Sequence, residues 1–204
     1  MGVYRRQLQP RLLNATLDTA GAREIRRRVC AGLFGDIVEI GYGSGLNQPH
    51  LPAEVRSVAA VEPSAVAWRL SADRRTGSGV AVVVAGLDAQ QLPFPDHEFD
   101  AALSTWTLCG IGDPVAALQQ IRRVLKPGGV LHFVEHGLAP DAGVARWQRR
   151  SNALNKRITG CVLDRDVPAL LAESGLETAS ISSYYDRGSP RTAGYFYEGR
   201  AAAA

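Results

Sequence analysis

Three glycines at alternate positions, Gly41, Gly43 and Gly45, follow directly on the short apolar run Ile37-Val38-Glu39-Ile40. No other stretch constrains the chain as strongly. A buried strand running into a glycine loop is how a doubly wound α/β domain opens a nucleotide site. Glycine serves there because a side chain would hold the backbone away from the ligand. The ligand class turns on the third glycine. A dinucleotide fingerprint, G-x-G-x-x-G, needs glycine at position 46, and this chain has Leu46. That disfavours a nicotinamide oxidoreductase. The pattern is instead E-x-G-x-G-x-G, with Glu39 two residues ahead of the loop. An acid at that place suits an ammonium or sulfonium group better than a pyrophosphate.

The 204 residues fit one α/β domain. With 46% of residues hydrophobic and 21% charged, the composition is that of a soluble globular protein. No run approaches the roughly 18 apolar residues of a membrane span, and the basic N-terminus leads into no apolar core of a signal peptide. Cys30, Cys109 and Cys161 are odd in number and far apart, without metal-ligand spacing. They read as reduced thiols of a cytoplasmic protein, with no metal expected. A net charge of +3 is too small to imply nucleic acid. Residues 1–35 nevertheless carry seven arginines against Asp18 and Glu24. This segment is either a solvated helix face or a weak peripheral contact with an anionic membrane. Monomer and homodimer both remain open.

Along the chain, helices are expected at 3–18 and 20–34, the second with Ala22, Ile25, Val29 and Leu33 on one face and Arg23 and Arg26–Arg28 on the others. In this kind of fold such helices lie over the ligand, which brings Tyr4, Arg5 and Arg6 within reach of it. Strands follow at 36–40 and 55–61, the second ending in Glu62-Pro63-Ser64. An acid there, about twenty residues past the loop, can accept both hydroxyls of a ribose; it can also simply cap the helix expected at 64–75. Strand 80–85 leads into Gly86-Leu87-Asp88-Ala89. Asp88 can accept from an adenine amine while Leu87 or Ala89 packs the ring. Strand 99–104 ends in Ser104-Thr105-Trp106-Thr107-Leu108-Cys109, a segment that should border the ligands because these bind at carboxyl ends of strands. A helix at 113–125 starts on Asp113-Pro114 and stops at Lys126-Pro127-Gly128-Gly129, read as a turn. Strand 130–134 carries Glu135-His136 at its end. There His136 can remove or receive a nucleophile's proton, with Glu135 holding the imidazole or taking that role itself; alternatively the pair makes structural hydrogen bonds. His50, His97 and His132 have no such placement. A basic amphipathic helix at 144–160, bearing Trp147, should cap the pocket. A helix to Glu173 and strands at 176–182 and 193–199 close the chain. Ala201–Ala204 is left outside the fold as a disordered tail.

The glycine loop, Glu62, the Asp88 segment with Leu92-Pro93-Phe94, and the Leu125–Gly129 turn together resemble the Rossmann-like methyltransferases that use S-adenosylmethionine. The set spans 36–135. A narrower likeness, to the methyltransferase-like 7 group of thiol S-methyltransferases and its bacterial relatives, rests on Thr107-Leu108-Cys109, Glu135-His136, Trp147-Gln148, Gly160-Cys161, Leu163, Arg165 and Gly194-Tyr195. Animal members begin with a membrane-anchoring apolar segment that these 204 residues do not contain, so membrane attachment and substrate are not carried over. The resemblance implies a Rossmann-like doubly wound α/β fold, a mostly parallel seven-stranded sheet with helices on both faces and one antiparallel strand near the edge. Within one domain spanning 1–200, it implies a helical lid (1–35), a cofactor-binding core (36–137), a substrate-cap insertion (138–165) and a closing helix and strands (166–200). S-adenosylmethionine would be held by Glu39, Gly41, Tyr42, Gly43, Gly45, Glu62, Pro63, Leu87, Asp88, Ala89, Ser104 and Thr105, and released as S-adenosylhomocysteine. The acceptor would meet Trp106, Thr107, Cys109 and Trp147, with Glu135 and His136 as catalytic groups. The expected reaction is methylation of a small apolar acceptor such as a thiol, phenol or amine. The alternatives are methylation of a lipid headgroup and cofactor binding without catalysis.

Overall fold

In the computed structural model, residues 4–203 are described, apart from the side chain of Arg5. Strands β1 (Gly35–Ile40), β2 (Val55–Val61) and β4 (Phe99–Thr105), with the second half of β5 (Leu125–His136), are apolar and buried along most of their length. That is the pattern of parallel strands covered on both faces. They join β3 (Ala81–Gly86), β6 (Leu176–Tyr185) and β7 (Tyr195–Ala203) in one seven-stranded sheet ordered β3-β2-β1-β4-β5-β7-β6. β7 runs antiparallel to both its neighbours, one place in from the edge, as expected.

The helices are α1 (Gln9–Thr16), α2 (Ala20–Cys30), α3 (Ala65–Leu70), α4 (Ala72–Gly77), α5 (Pro114–Val124), α6 (Ala142–Ile158) and α7 (Val167–Ser174). Ile25, Val29 and Cys30 of α2 pack with Leu33 on Ile37, Val58 and Leu103 of the sheet. On the opposite face, Leu118, Ile121 and Val124 of α5 and Leu171 of α7 meet Val38, Leu131 and Phe133. Asp113 caps α5 by accepting from Ala116 N at 3.0 Å, with Pro114 in the first turn where no amide is needed.

Four expectations change. The first helix is a π-helical turn at Tyr4–Leu8 followed by α1. The helix expected at 64–75 breaks at Ser71, whose hydroxyl donates to the Trp68 carbonyl at 2.7 Å. Lys126–Gly129 is not a separate turn but a bulge inside β5. The pairing with β4 jumps from Phe99–Leu125 to Ala101–Val130, with Gly128 at φ 76°, and Lys126 reaches back to Asp100. Finally, Ala201–Ala203 is no tail: these residues complete β7, with Ala201 and Ala203 buried among α5, α7 and the sheet. Their backbones pair with β5 on one side and β6 on the other, and the small alanine side chains fit beneath the helices. Ala204 and residues 1–3 lie outside the described residues.

The strand order reverses between β1 and β4. In a doubly wound sheet the ligand crevice opens at such a reversal, beyond the carboxyl ends of the strands.

Candidate active site

A cavity of about 1080 Å³ opens there, lined by the loops that follow β1, β2, β3 and β4 together with His136 at the end of β5. Pockets that hold one drug-sized ligand span roughly 300–1,000 Å³, so this one has room for two small molecules side by side. Of the residues singled out from sequence, Gly41, Tyr42, Gly43, Glu62, Pro63, Leu87, Asp88, Ala89, Thr105, Trp106, Thr107 and His136 line it.

The glycine loop is shaped by its own backbone. Gly41 sits at φ 65°, and a Cβ there would run into the Thr107 side chain, so glycine is required twice over. Glu62, at the end of β2, turns toward the loop. Its Oε2 accepts from Gly43 N at 2.8 Å and its Oε1 from Ser64 N at 2.6 Å. A carboxylate offers about four acceptor positions. Each oxygen therefore keeps one for a ligand, which is what recognition of a vicinal diol needs. Burial raises the Glu62 pKa above its ordinary value while these two amides oppose the rise. Asp88 stands at the open end, where its Oδ1 accepts from Gln90 N at 2.9 Å.

Glu39 does not line the cavity. It lies one layer beneath, fully buried, and its Oε1 accepts from Asn47 Nδ2 at 2.7 Å. Asn47 does line the cavity, and so does Arg26 from α2. Arg26 Nη1 donates to Asn47 Oδ1 at 2.6 Å and to Thr105 Oγ1 at 3.1 Å, and its guanidinium stacks 4.7 Å from the Trp106 ring centroid. Burial drives the Glu39 pKa up to about 8, against the pull of Asn47 and Arg26, and drives Arg26 down to about 10. Glu39 Oε2, Arg26 Nε and the Trp106 indole N–H are buried without partners. Trp106 also holds φ 50°, a strained conformation for a bulky residue. Orphaned polar atoms and backbone strain gathered at one place are signs of a site kept ready for a ligand. Sequence reasoning placed Arg26 on a polar helix face and missed it and Asn47. Asn47 follows the glycine loop directly, two residues past Gly45, and that closeness to the loop was the available signal.

Gly45, Ser104, Cys109, Glu135 and Trp147 also fall outside the cavity lining. Gly45 is packed behind the loop against Tyr42 and Ser71. The Ser104 hydroxyl donates to Glu135 Oε1 at 2.7 Å, and Thr107 N donates to the same oxygen at 3.0 Å. Glu135 is thus turned inward, holding the loop after β4, with burial raising its pKa to about 7. This is the structural alternative for Glu135. Trp147 is 62% exposed on the outer side of α6; the inner side is taken by Gln148, which binds Ala139 N and Gly137 O at 3.0 Å each. Gln148 and Ala145 are the buried residues of the helix.

His136 faces the cavity. Its ring packs edge-on against Phe196, its Nδ1 is unpartnered, and burial lowers its pKa to about 4. Cys109 lies just beneath it and Cys161, in the loop after α6, just beside it; the three ligand-type atoms lie within 4.8 Å of one another. Their distance in sequence concealed this grouping.

The mouth is covered from two sides. Arg6, Gln9, Leu13 and Asn14 line it from the N-terminal segment, and Asn155, Lys156 and Thr159 from the end of α6. Tyr4 Oη and Gln9 Nε2 both donate to the Ile158 carbonyl, at 2.8 and 3.2 Å, so the two covers touch. Tyr4 contributes that contact and does not itself line the cavity; the Arg5 side chain lies outside the described residues. Among the described residues no helix is long and apolar enough to cross a membrane.

This combination of switch-point cavity, glycine loop and diol-ready acid places the chain among α/β domains built for a nucleoside-bearing cofactor. A family model described as "Methyltransferase domain" matches residues 38–133. A demethylmenaquinone methyltransferase of Mycobacterium sp. (strain KMS) is 33% identical over 172 residues, 80% of this chain and 71% of that protein. The human thiol S-methyltransferase TMT1B is 34% identical over 137 residues, 64% of this chain and 55% of the human protein. The match therefore spans about half the length of that relative. The crystal structure of an S-adenosylmethionine-dependent methyltransferase of Thermotoga maritima has the same fold, with a TM-score of 0.68 at 21% identity over 96% of this chain and 98% of that one. The chain belongs to the S-adenosylmethionine-dependent methyltransferase family.

Proposed function

We propose that this chain transfers a methyl group from S-adenosylmethionine to a small apolar thiol. The observation that carries the reading is the one continuous cavity with an acid-lined cofactor end and a base-poor acceptor end. The residues fit the cofactor. Glu62 keeps one acceptor position on each oxygen for the ribose hydroxyls, Asp88 stands open for the adenine amine with Leu87 and Ala89 beside it, and Asn47, held from beneath by Glu39, faces the cavity for the amino acid end. Bound there, the cofactor supplies an electrophilic sulfonium methyl. The chain's own task is to align the acceptor with that methyl and to exclude water.

At the acceptor end Trp106, Thr107, Ile111, Leu163 and His136 form a largely apolar wall. None of these five residues is a carboxylate or a lysine; Lys156 lines the mouth from the end of α6. Glu135 is turned inward onto Ser104 and Thr107, and His136 has no carboxylate bound at its unpartnered Nδ1. A thiol, with a pKa near ~8.5, is already a few per cent thiolate at neutral pH, whereas a phenol at about 10 is far less ionised. A base-poor site therefore favours sulfur, in agreement with the activity named for the human relative. His136 then positions the acceptor. Transfer of labelled methyl from the cofactor to an alkanethiol, a phenol and an amine of similar size tests this. The expected product is the thioether, in clear excess; turnover of phenol or amine with no thioether would discard the thiol assignment.

A further inference from the structure

Cys109, His136 and Cys161 come from three separate segments and meet at the acceptor end of the cavity. Each offers one ligand atom, and these atoms lie within 4.8 Å of one another. The donor set is two sulfurs and one imidazole. Around a zinc ion, with Zn–S of about 2.3 Å and Zn–N of about 2.0 Å, three tetrahedral donors stand roughly 3.5–4 Å apart. Closing the observed spacing to that geometry needs side-chain movement of about 1 Å or less.

The three segments are held together independently of any ligand. Val162 N donates to the Cys109 carbonyl at 2.9 Å, and Leu138 N to the Arg165 carbonyl at 2.8 Å. The Thr159 hydroxyl accepts from Cys161 N at 3.2 Å. Gly137, beside His136, admits no side chain, because a Cβ there would strike the Tyr197 ring. His136 Nδ1 is buried and unpartnered, an anomaly that a bound cation would resolve. His136 and Cys161 line the cavity, so one side of the cluster stays open to it.

We propose that Cys109, His136 and Cys161 form a zinc site whose open fourth position faces the cavity and takes the acceptor thiol as a thiolate. Two cysteines and a histidine with a vacant fourth place make a reactive zinc site, not a closed structural one. This inference rests on the thiol reading above and supplies what the site otherwise lacks, a means of ionising the acceptor. On binding, the thiol S–H bond breaks, the proton passes to solvent and a zinc–sulfur bond forms. In the transfer the thiolate sulfur provides the electron pair of the new S–CH₃ bond, while the pair of the broken bond stays with the cofactor's sulfur. The neutral thioether is a weak ligand and leaves. No oxidation change is involved.

The test uses the full chain, reduced with a phosphine that does not compete for metal. Zinc is titrated against a chromogenic chelator for wild type, Cys161→Ser and His136→Gln. Wild type should take up one equivalent, and each variant should bind at least about tenfold more weakly, since even groups that only support a ligand change metal affinity 10–100-fold. The cobalt form should show a thiolate-to-metal charge-transfer band that shifts when a small alkanethiol is added. Cofactor binding by calorimetry, measured on the same variants, should be unchanged and shows that they are folded. A wild type that takes no zinc, variants that bind it as wild type does, or a cobalt band indifferent to thiol would each overturn the proposal. Cofactor binding separates the two failures: zinc uptake with no cofactor binding refutes the methyltransferase reading and leaves the metal site standing.

Discussion

Glu39→Gln should change how stability depends on pH. The Glu39 carboxyl is buried, with a folded-state pKa of about 8 against an ordinary value of 4.5. A raised acid holds its proton in the native state over a range where the unfolded chain has lost it. Its effect is absent below the unfolded pKa, grows against the native state as pH rises from about 4.5 to about 8, and is constant above. The separation converts to on the order of 4–5 kcal/mol at about 1.36 kcal/mol per unit. Gln has the shape of the neutral carboxyl and leaves Asn47 Nδ2 an oxygen to bind, so the variant loses the titration and little else. Urea unfolding, followed by tryptophan fluorescence at steps between pH 5 and 8, should give a steeper fall in stability for wild type than for the variant. Glu62 and Glu135 are raised as well, so the difference between the two proteins is the quantity to read. Parallel curves would refute the argument. Cofactor binding extends it: a cationic amino group near Asn47 should pull Glu39 toward ionisation. Calorimetry near pH 7 in buffers of different ionisation enthalpy should then report proton release with wild type that is missing in Glu39→Gln.

Gly41→Ala adds a Cβ that collides with Thr107 at a left-handed φ. It should cost about 3 kcal/mol or more of stability and abolish cofactor binding, measured by thermal melting and calorimetry. Arg26→Met removes a buried charge but leaves buried Asn47 Oδ1 without its donor; stability should fall by about 1–3 kcal/mol. Cofactor affinity should also fall, because Asn47 and Thr105 lose the group that orients them. Trp147→Ser, on the exposed side of α6, should leave stability within about 0.5 kcal/mol and acceptor KM unchanged.

Local chemistry made the cofactor half of the site readable from sequence. A strand, a glycine loop and an acid at a strand end each carry their constraint within a few neighbouring residues, and Gly41, Glu62 and Asp88 all face the cavity. The acceptor half is assembled from segments far apart in the chain. Whether Glu135 points inward or outward depends on a one-residue alternation at the end of β5, and Ser104 and the Thr107 amide hold it inward. The amphipathic pattern of α6 marked Trp147 as a pocket residue, but the helix docks on Gln148 and leaves the indole in solvent. Arg26 lies on a helix face rich in arginine, and only the tertiary position of Asn47 and Trp106 selects it for burial. The alanine run of β7 gives no periodic signal, since its strand character comes from the partners on either side.

The central claim is that the cavity at the β1–β4 reversal holds S-adenosylmethionine through Glu62. Calorimetry with S-adenosylmethionine and S-adenosylhomocysteine on wild type and Glu62→Ala tests it most directly. Micromolar binding is expected for wild type, weakened at least about tenfold in the variant, since a hydrogen bond to a charged group contributes about 1.5–3 kcal/mol and about 1.4 kcal/mol is a factor of ten. A folded wild type, freed of co-purified ligand, that binds neither compound would contradict the account.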